Sequence, residues 1–195
     1  MKRCLAILLL GFGIVAVLLV LIDREPFGPA RTLDAVLADT ADASLIFPDM
    51  ESNEAREVIN RFQSLWANLS EDAVRLKLNQ VYAENIWFND TLKTIENLDD
   101  FTSYMLQTVN AVDACRVEFL DVVNSGPDHY VRWRMTVVPK GAMEKDAWRS
   151  TGITLLRFNS DGRVIVHQDY WDAAGGFYEN LPVIGRILRN IRARI

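Results

Sequence analysis

Cysteine and histidine are scarce in this sequence. Its 195 residues hold two of each, Cys4, Cys115, His129 and His167. Cys4 stands before a hydrophobic run and Cys115 deep in the later sequence, so a disulfide between them is not expected. Two cysteines and two histidines do not readily build a structural zinc site either. His167 has no second histidine or cysteine at a ligand spacing, and no metal or other cofactor is expected. Clustered positive charge is also missing from the body of the chain. Of the 21 Lys and Arg, six (Lys2, Arg3, Arg186, Arg189, Arg192 and Arg194) stand at the two ends. The remaining 15 face all 26 acids, a net of -11 over residues 23 to 185. Phosphate binding needs grouped cations, so nucleic acid is excluded as the main partner. With half its residues hydrophobic and 24% charged, the chain has a globular composition rather than a disordered one.

One long stretch lacks charge altogether. Leu5 to Ile22 runs 18 residues without an ionisable side chain. As a helix it would span roughly 27 Å, close to the hydrocarbon thickness of a bilayer. Lys2 and Arg3 precede it, which favours a cytoplasmic N-terminus and a domain on the non-cytoplasmic side of a single-pass anchor. A cleaved signal peptide is the alternative, with Gly28-Pro29-Ala30 as a late cleavage site. A buried core helix is the third reading. The organisation expected is an anchor over 1–25, a linker over 26–51, a folded domain over 52–180 and a basic amphipathic helix over 181–195. The linker contains Pro26, Pro29 and Pro48, with one short helix near Leu33 to Ala38.

Within the domain, Ser52 or Asn53 caps a helix whose Val58, Ile59, Phe62, Leu65, Trp66 and Leu69 recur at helical spacing. Ser70 caps a second, and Asn97 opens a third carrying Phe101, Tyr104 and Met105. Between them VYAENIWFND (81–90) is an extended segment with Tyr82, Ile86, Phe88 and Asp90 on one face. The period then shortens to two over Cys115–Val123, Tyr130–Val138, Trp148–Phe158 and Arg163–Trp171. Asn159-Ser160-Asp161-Gly162 reads as a hairpin turn with glycine at a positive φ. Gly175-Gly176 ends the last strand, and Pro182 to Ile195 is a final helix. Helices first and an antiparallel four-strand meander afterwards define α+β. A curved sheet wrapped on N-terminal helices leaves a hollow between the layers, a usual place for a ligand.

Three stretches carry a resemblance to a known family: VYAENIWFND (81–90), YVRWRM (130–135) and LLRFNSDGRVIVHQDYWD (155–172). In this order they resemble the SnoaL-like branch of the nuclear transport factor two-like superfamily, which includes polyketide cyclases and ketosteroid isomerases. The resemblance covers about 120 residues. It implies a cone-shaped fold with a pocket and often a homodimer packed through the sheets. It implies no single activity, since members include isomerases, cyclases, epoxide hydrolases and adaptors.

By this resemblance Asp90 stands where the isomerases keep their general base. The acid that stabilises their oxyanion aligns with Thr154, which is not acidic. The plain alternative for Asp90 is a turn residue bonding its own backbone. Asp169 stands where the hydrolases and cyclases place a catalytic aspartate. His167, Asp169 and Trp171 share one strand face by alternation. Arg134 could supply the arginine the hydrolases use, but Thr136 falls where their second aspartate would be. The alternative is that Asp169 merely pairs with Arg132 or Arg134. Asp169, Asp90 and His167 are therefore the candidate catalytic residues. Tyr82, Phe88, Trp133, Met135 and Trp171 are the candidate ligand-binding ones, with core packing as the alternative for the aromatics. Val183, Ile184, Ile187, Leu188, Ile191 and Ile195 form an apolar stripe among four arginines, the pattern of a helix lying in a bilayer interface or docked on the acidic body. Three functional readings follow: a membrane-tethered module binding a small hydrophobic molecule; a cyclase, isomerase or hydrolase using Asp169 or Asp90 as base; or an assembly module whose pocket is filled by side chains.

Overall fold

The computed structural model describes residues 31–47 and 49–195. The anchor expected over 5–22 lies outside them. Among the described residues no helix is long and apolar enough to cross a membrane.

Within the stretch expected as a linker, the short helix expected near Leu33 to Ala38 forms, and Val36 and Phe47 are buried. Helix α1 (Leu33–Asp39) buries Val36 with Trp87, Leu155 and Val166. Phe47 is buried against the rings of His129 and Phe158. Prolines and scattered acids mark this stretch as irregular, but burial of those two side chains decides its position.

Helix α2 (Asn53–Trp66) starts where Ser52 accepts a hydrogen bond from the Ala55 amide, and it buries Ala55, Val58, Ile59, Phe62 and Leu65 along one face. The short strand β1 (Asn68–Leu69) follows, then α3 (Glu71–Val81), capped by Ser70. Strands β2 (Tyr82–Asn89) and β3 (Thr94–Asn97) lead into α4 (Leu98–Asn110), which Asn97 caps. The meander comprises β4 (Val112–Ser125), β5 (Asp128–Pro139), β6 (Trp148–Phe158) and β7 (Val164–Trp171). Between β6 and β7, Gly162 takes the positive φ that the turn demands, +67°, and its carbonyl accepts from Arg61.

The meander is antiparallel as its alternation requires, but the sheet is larger than four strands and is mixed. Its order is β1-β4-β5-β6-β7-β2-β3, and β2 runs parallel to β7. Alternation along 82–89 marks an extended segment without naming its partner. Burial on both faces, with Phe88 inside and Trp87 under α1, draws this segment into the sheet. The sheet curls around α2, α3 and α4, and the main core fills the space between. On the outer face Arg157 is buried, pairs with Asp128 at 2.5 Å and donates to the Leu37 carbonyl and Thr40 hydroxyl, clamping the end of α1.

Beyond β7, the short helix α5 (Ala173–Gly176) is capped by Asp172. The last helix, α6, covers Ile184–Arg192, shorter at both ends than the pattern from Pro182 to Ile195.

Candidate functional site

Between the inner sheet face and the helices lies a hollow of about 400 Å³. Its walls are mostly hydrocarbon, and aromatic and methionine side chains surround the space rather than fill it. Asp90, His167 and Asp169 all border it. So do Phe88, Trp133, Met135 and Trp171. Phe177, on the segment after β7, stands at the mouth edge-on to Trp148. A larger groove of about 650 Å³ outside is lined by exposed side chains already paired, Arg116 with Glu144 and Arg134 with Glu118. Water satisfies such pairs well, so the smaller, apolar hollow is the better candidate.

Two hydrogen-bond chains meet at Asp169. Trp66 Nε1 donates to the Tyr82 hydroxyl at 3.1 Å, and that hydroxyl lies 2.8 Å from His167 Nδ1. His167 Nε2 lies 3.1 Å from Asp169 Oδ1. On the other side, Trp133 Nε1 donates to Thr154 Oγ1 at 2.8 Å, and Thr154 Oγ1 donates to the same Asp169 oxygen. An indole N–H can only donate, so the Tyr82 and Thr154 oxygens each accept at that end of their chain. The Tyr82 oxygen accepts from Trp66 and gives its own proton to Nδ1. With the Tyr82 proton on the His167 side, Nδ1 accepts and Nε2 donates to Asp169. Oδ1 meets both partners. The other carboxylate oxygen, Oδ2, has no protein hydrogen bond among the described residues.

Tyr82 is thus not a wall residue. It is fully buried behind His167, and burial pushes its phenol well above the ordinary range. Its expected place on the ligand face fails because the crowded β2–α4 packing turns the ring against Phe101, at 4.8 Å between centroids. It orients the histidine instead.

Asp90 closes the turn that its plain alternative described, and it also borders the hollow. Its Oδ1 accepts from the Leu92 and Lys93 amides, closing the turn after β2, while Oδ2 takes the Tyr104 hydroxyl at 2.5 Å. Burial raises its pKa above the usual carboxylate value, and the nearby charge of Asp169 adds to this, against those three hydrogen bonds. Tyr104 is pushed up as well, by burial first and then by Asp90. Trp171 donates to the Asp90 carbonyl at 2.9 Å, joining the end of β7 to this turn.

Arg132 and Arg134 do not serve Asp169. They lie on the outer face of β5, bound to Asp121 and Glu118. The arginine that a hydrolase set would need is therefore turned away from the hollow. Thr154 and Tyr104 are site residues that sequence patterning did not assign. Thr154 lies directly across from Asp169, but a register shift between Arg157 and Phe158 intervenes. Counting back from the 159–162 turn with an unbroken ladder would pair Thr154 with Gln168. Among the described residues, no group of three His, Cys, Asp or Glu could hold a metal ion.

A family model described as a SnoaL-like domain matches residues 59–167. No curated protein matches. Among solved structures, an NTF2-like protein of unknown function from Exiguobacterium sp. 255-15 superposes with TM-score 0.52 at 16% identity, covering 59% of this chain and 98% of that one. A protein with a ketosteroid isomerase-like fold from Catenulispora acidiphila, in complex with trimethylamine, gives 0.52 at 16%, covering 62% and 88%. An LEH-like epoxide hydrolase from M. tuberculosis gives 0.53 at 12%, covering 73% and 94%. Likeness at such identity concerns the fold alone.

Proposed function

Because the chain belongs to the SnoaL-like domain family, we propose that it binds a small, largely apolar molecule in this hollow and moves a proton on it. Asp169 is the base, and Asp90, hydrogen-bonded to Tyr104, is the second carboxyl group at the hollow. The observation that carries the reading is the convergence of two hydrogen-bond chains on Asp169 Oδ1. They hold the carboxylate in one orientation while Oδ2 stays unbound. A fixed base in an apolar hollow is efficient because no solvent must reorganise when it takes a proton. Asp169 takes a proton from a carbon next to a carbonyl. Asp169 then returns that proton to the same carbon or to a second one, as an isomerisation requires. A water-splitting reading is weaker, since Arg132 and Arg134 are committed elsewhere.

We place this domain on the non-cytoplasmic side of a membrane, held by residues 5–22 with the N-terminus in the cytoplasm. The 18-residue uncharged run and the cations before it support that placement. Labelling Cys4 with a membrane-impermeant maleimide should succeed only in inverted vesicles; labelling in intact cells would reverse the topology.

The chemistry is tested by incubating the full-length chain in D2O with a panel of bicyclic ketones and reading deuterium at the α-carbon by mass spectrometry. Replacing Asp169→Asn should lower incorporation at least 100-fold while the melting transition stays cooperative. Incorporation that survives this change, with the fold intact, discards Asp169 as the base.

A further inference from the structure

The last helix is attached to the domain in an unusual way. Arg189 and Arg192 face inward and its isoleucines outward. Arg192 bonds Glu179 at 2.5 Å and Asp172 at 3.4 Å, and Arg189 donates to the Glu179 carbonyl. Gly185 is the buried residue of the helix and sits against that same carbonyl. Ile184, Ile187 and Ile191 share the opposite side and are 46%, 54% and 50% exposed. Val183 and Ile195 extend the stripe at both ends, at 73% and 101%. Residues 180–195 contain no acid, and the side chains of Arg186 and Arg194 make no hydrogen bond or ion pair among the described residues.

A nine-residue helix with its apolar stripe in water is poorly stable alone. The ion pairs that hold this one are exposed and weak. The connection to it is also strained: Val183, a β-branched residue, takes φ +67° and ψ −62°, with the Ile184 amide bonded to the Pro182 carbonyl. These features describe a helix in need of a second surface. The charge selects which surface. Arg186 and Arg194 flank the stripe, whereas the body behind carries a net of -11, so an anionic plane attracts this pole and repels the rest.

We propose that α6 docks on an anionic bilayer through Ile184, Ile187 and Ile191, with Arg186 and Arg194 against the lipid phosphates. Arg189 and Arg192 keep the helix joined to the 172–179 segment, which carries Phe177 at the mouth of the hollow. Docking therefore brings the mouth to the lipid, and an apolar ligand enters from the bilayer rather than through water. This last consequence rests on the ligand-binding reading above; the docking itself does not.

The test uses the full-length chain, Cys4→Ser and Ile195→Cys, labelled with an environment-sensitive fluorophore and reconstituted in nanodiscs. Discs of phosphatidylcholine alone are compared with discs containing 30% phosphatidylglycerol. Emission should rise severalfold in the anionic discs and be quenched by acyl-brominated lipid. The triple change Ile184→Ser, Ile187→Ser, Ile191→Ser and the pair Arg186→Glu, Arg194→Glu should each cut that rise at least fivefold. A label at Asp161→Cys, in the hairpin turn, should not respond. Equal emission in both discs, or a rise untouched by the variants, overturns the proposal. A rise that tracks protein concentration in detergent without lipid assigns the stripe to a second copy and likewise overturns it. If the chain fails to enter discs, the anchor over 5–22 is wrong; the same rise is then required on adding anionic vesicles, and its absence defeats the docking.

Discussion

Removing the Tyr82 hydroxyl tests the polarity of the chain that orients His167. In Tyr82→Phe the ring keeps its packing against Phe101 and its place beside His167. Two hydrogen bonds vanish, those to Trp66 Nε1 and His167 Nδ1. Each contributes about 1 kcal/mol net. Trp66 is half-buried, so water can reach its N–H, but the His167 side chain is only 3% exposed and its Nδ1 becomes an unpaired buried acceptor. That adds a desolvation penalty of about 1–2 kcal/mol. The expected loss is therefore about 3–4 kcal/mol, or about 6–16 °C in melting temperature for a domain of this size. Urea unfolding should show a lower midpoint with an unchanged slope. Nitrogen-15 NMR of the His167 ring should show the proton on Nε2 in the parent chain and a mixture of tautomers in the variant. A stability loss below about 0.5 kcal/mol, well under one such hydrogen bond, or an unchanged ring spectrum, would refute the directional chain and with it the orientation of Asp169.

Three further outcomes follow from single side chains. Burial pushes the Cys115 thiol up to about 11, so its thiolate fraction at pH 8 is about 10⁻³, against about 0.2 for an ordinary cysteine; in a Cys4→Ser chain, native labelling by a thiol reagent should be more than 100-fold slower than in urea. His129 is fully buried with neither ring nitrogen in proper hydrogen-bond geometry, and burial lowers its pKa, partly offset by the nearby Leu156 and Pro127 backbone. The unfolded chain therefore binds the extra proton first, so His129 contributes stability above pH about 6.5 that is lost as pH falls toward its folded value; His129→Phe should flatten that part of the stability profile. At Gly152 an added Cβ would lie 2.4 and 2.6 Å from the Trp133 ring, so Gly152→Ala should cost about 1–3 kcal/mol by overpacking and alter the near-ultraviolet dichroism as the indole leaves Thr154.

Helix starts and the meander are legible because their causes are local. Ser52, Ser70 and Asn97 cap helices through side chains three residues from the amides they accept, and period-two alternation depends on nothing beyond the strand itself. The same alternation set His167, Asp169 and Trp171 on one face, and that face is the one that borders the hollow. Other features depend on partners that lie far along the chain. The parallel pairing of β2 with β7 joins segments some 80 residues apart, and the register shift near Phe158 moves Thr154 opposite Asp169. Tyr82 shows the limit most clearly: its strand face was readable, but whether it met a ligand or a histidine depended on how α4 filled the space beside it. Residue type and spacing determine which groups share a surface, since that follows from backbone geometry. Which groups touch was decided only when the curled sheet and helices competed for the same interior volume, because burial and hydrogen-bond satisfaction are properties of the packed whole.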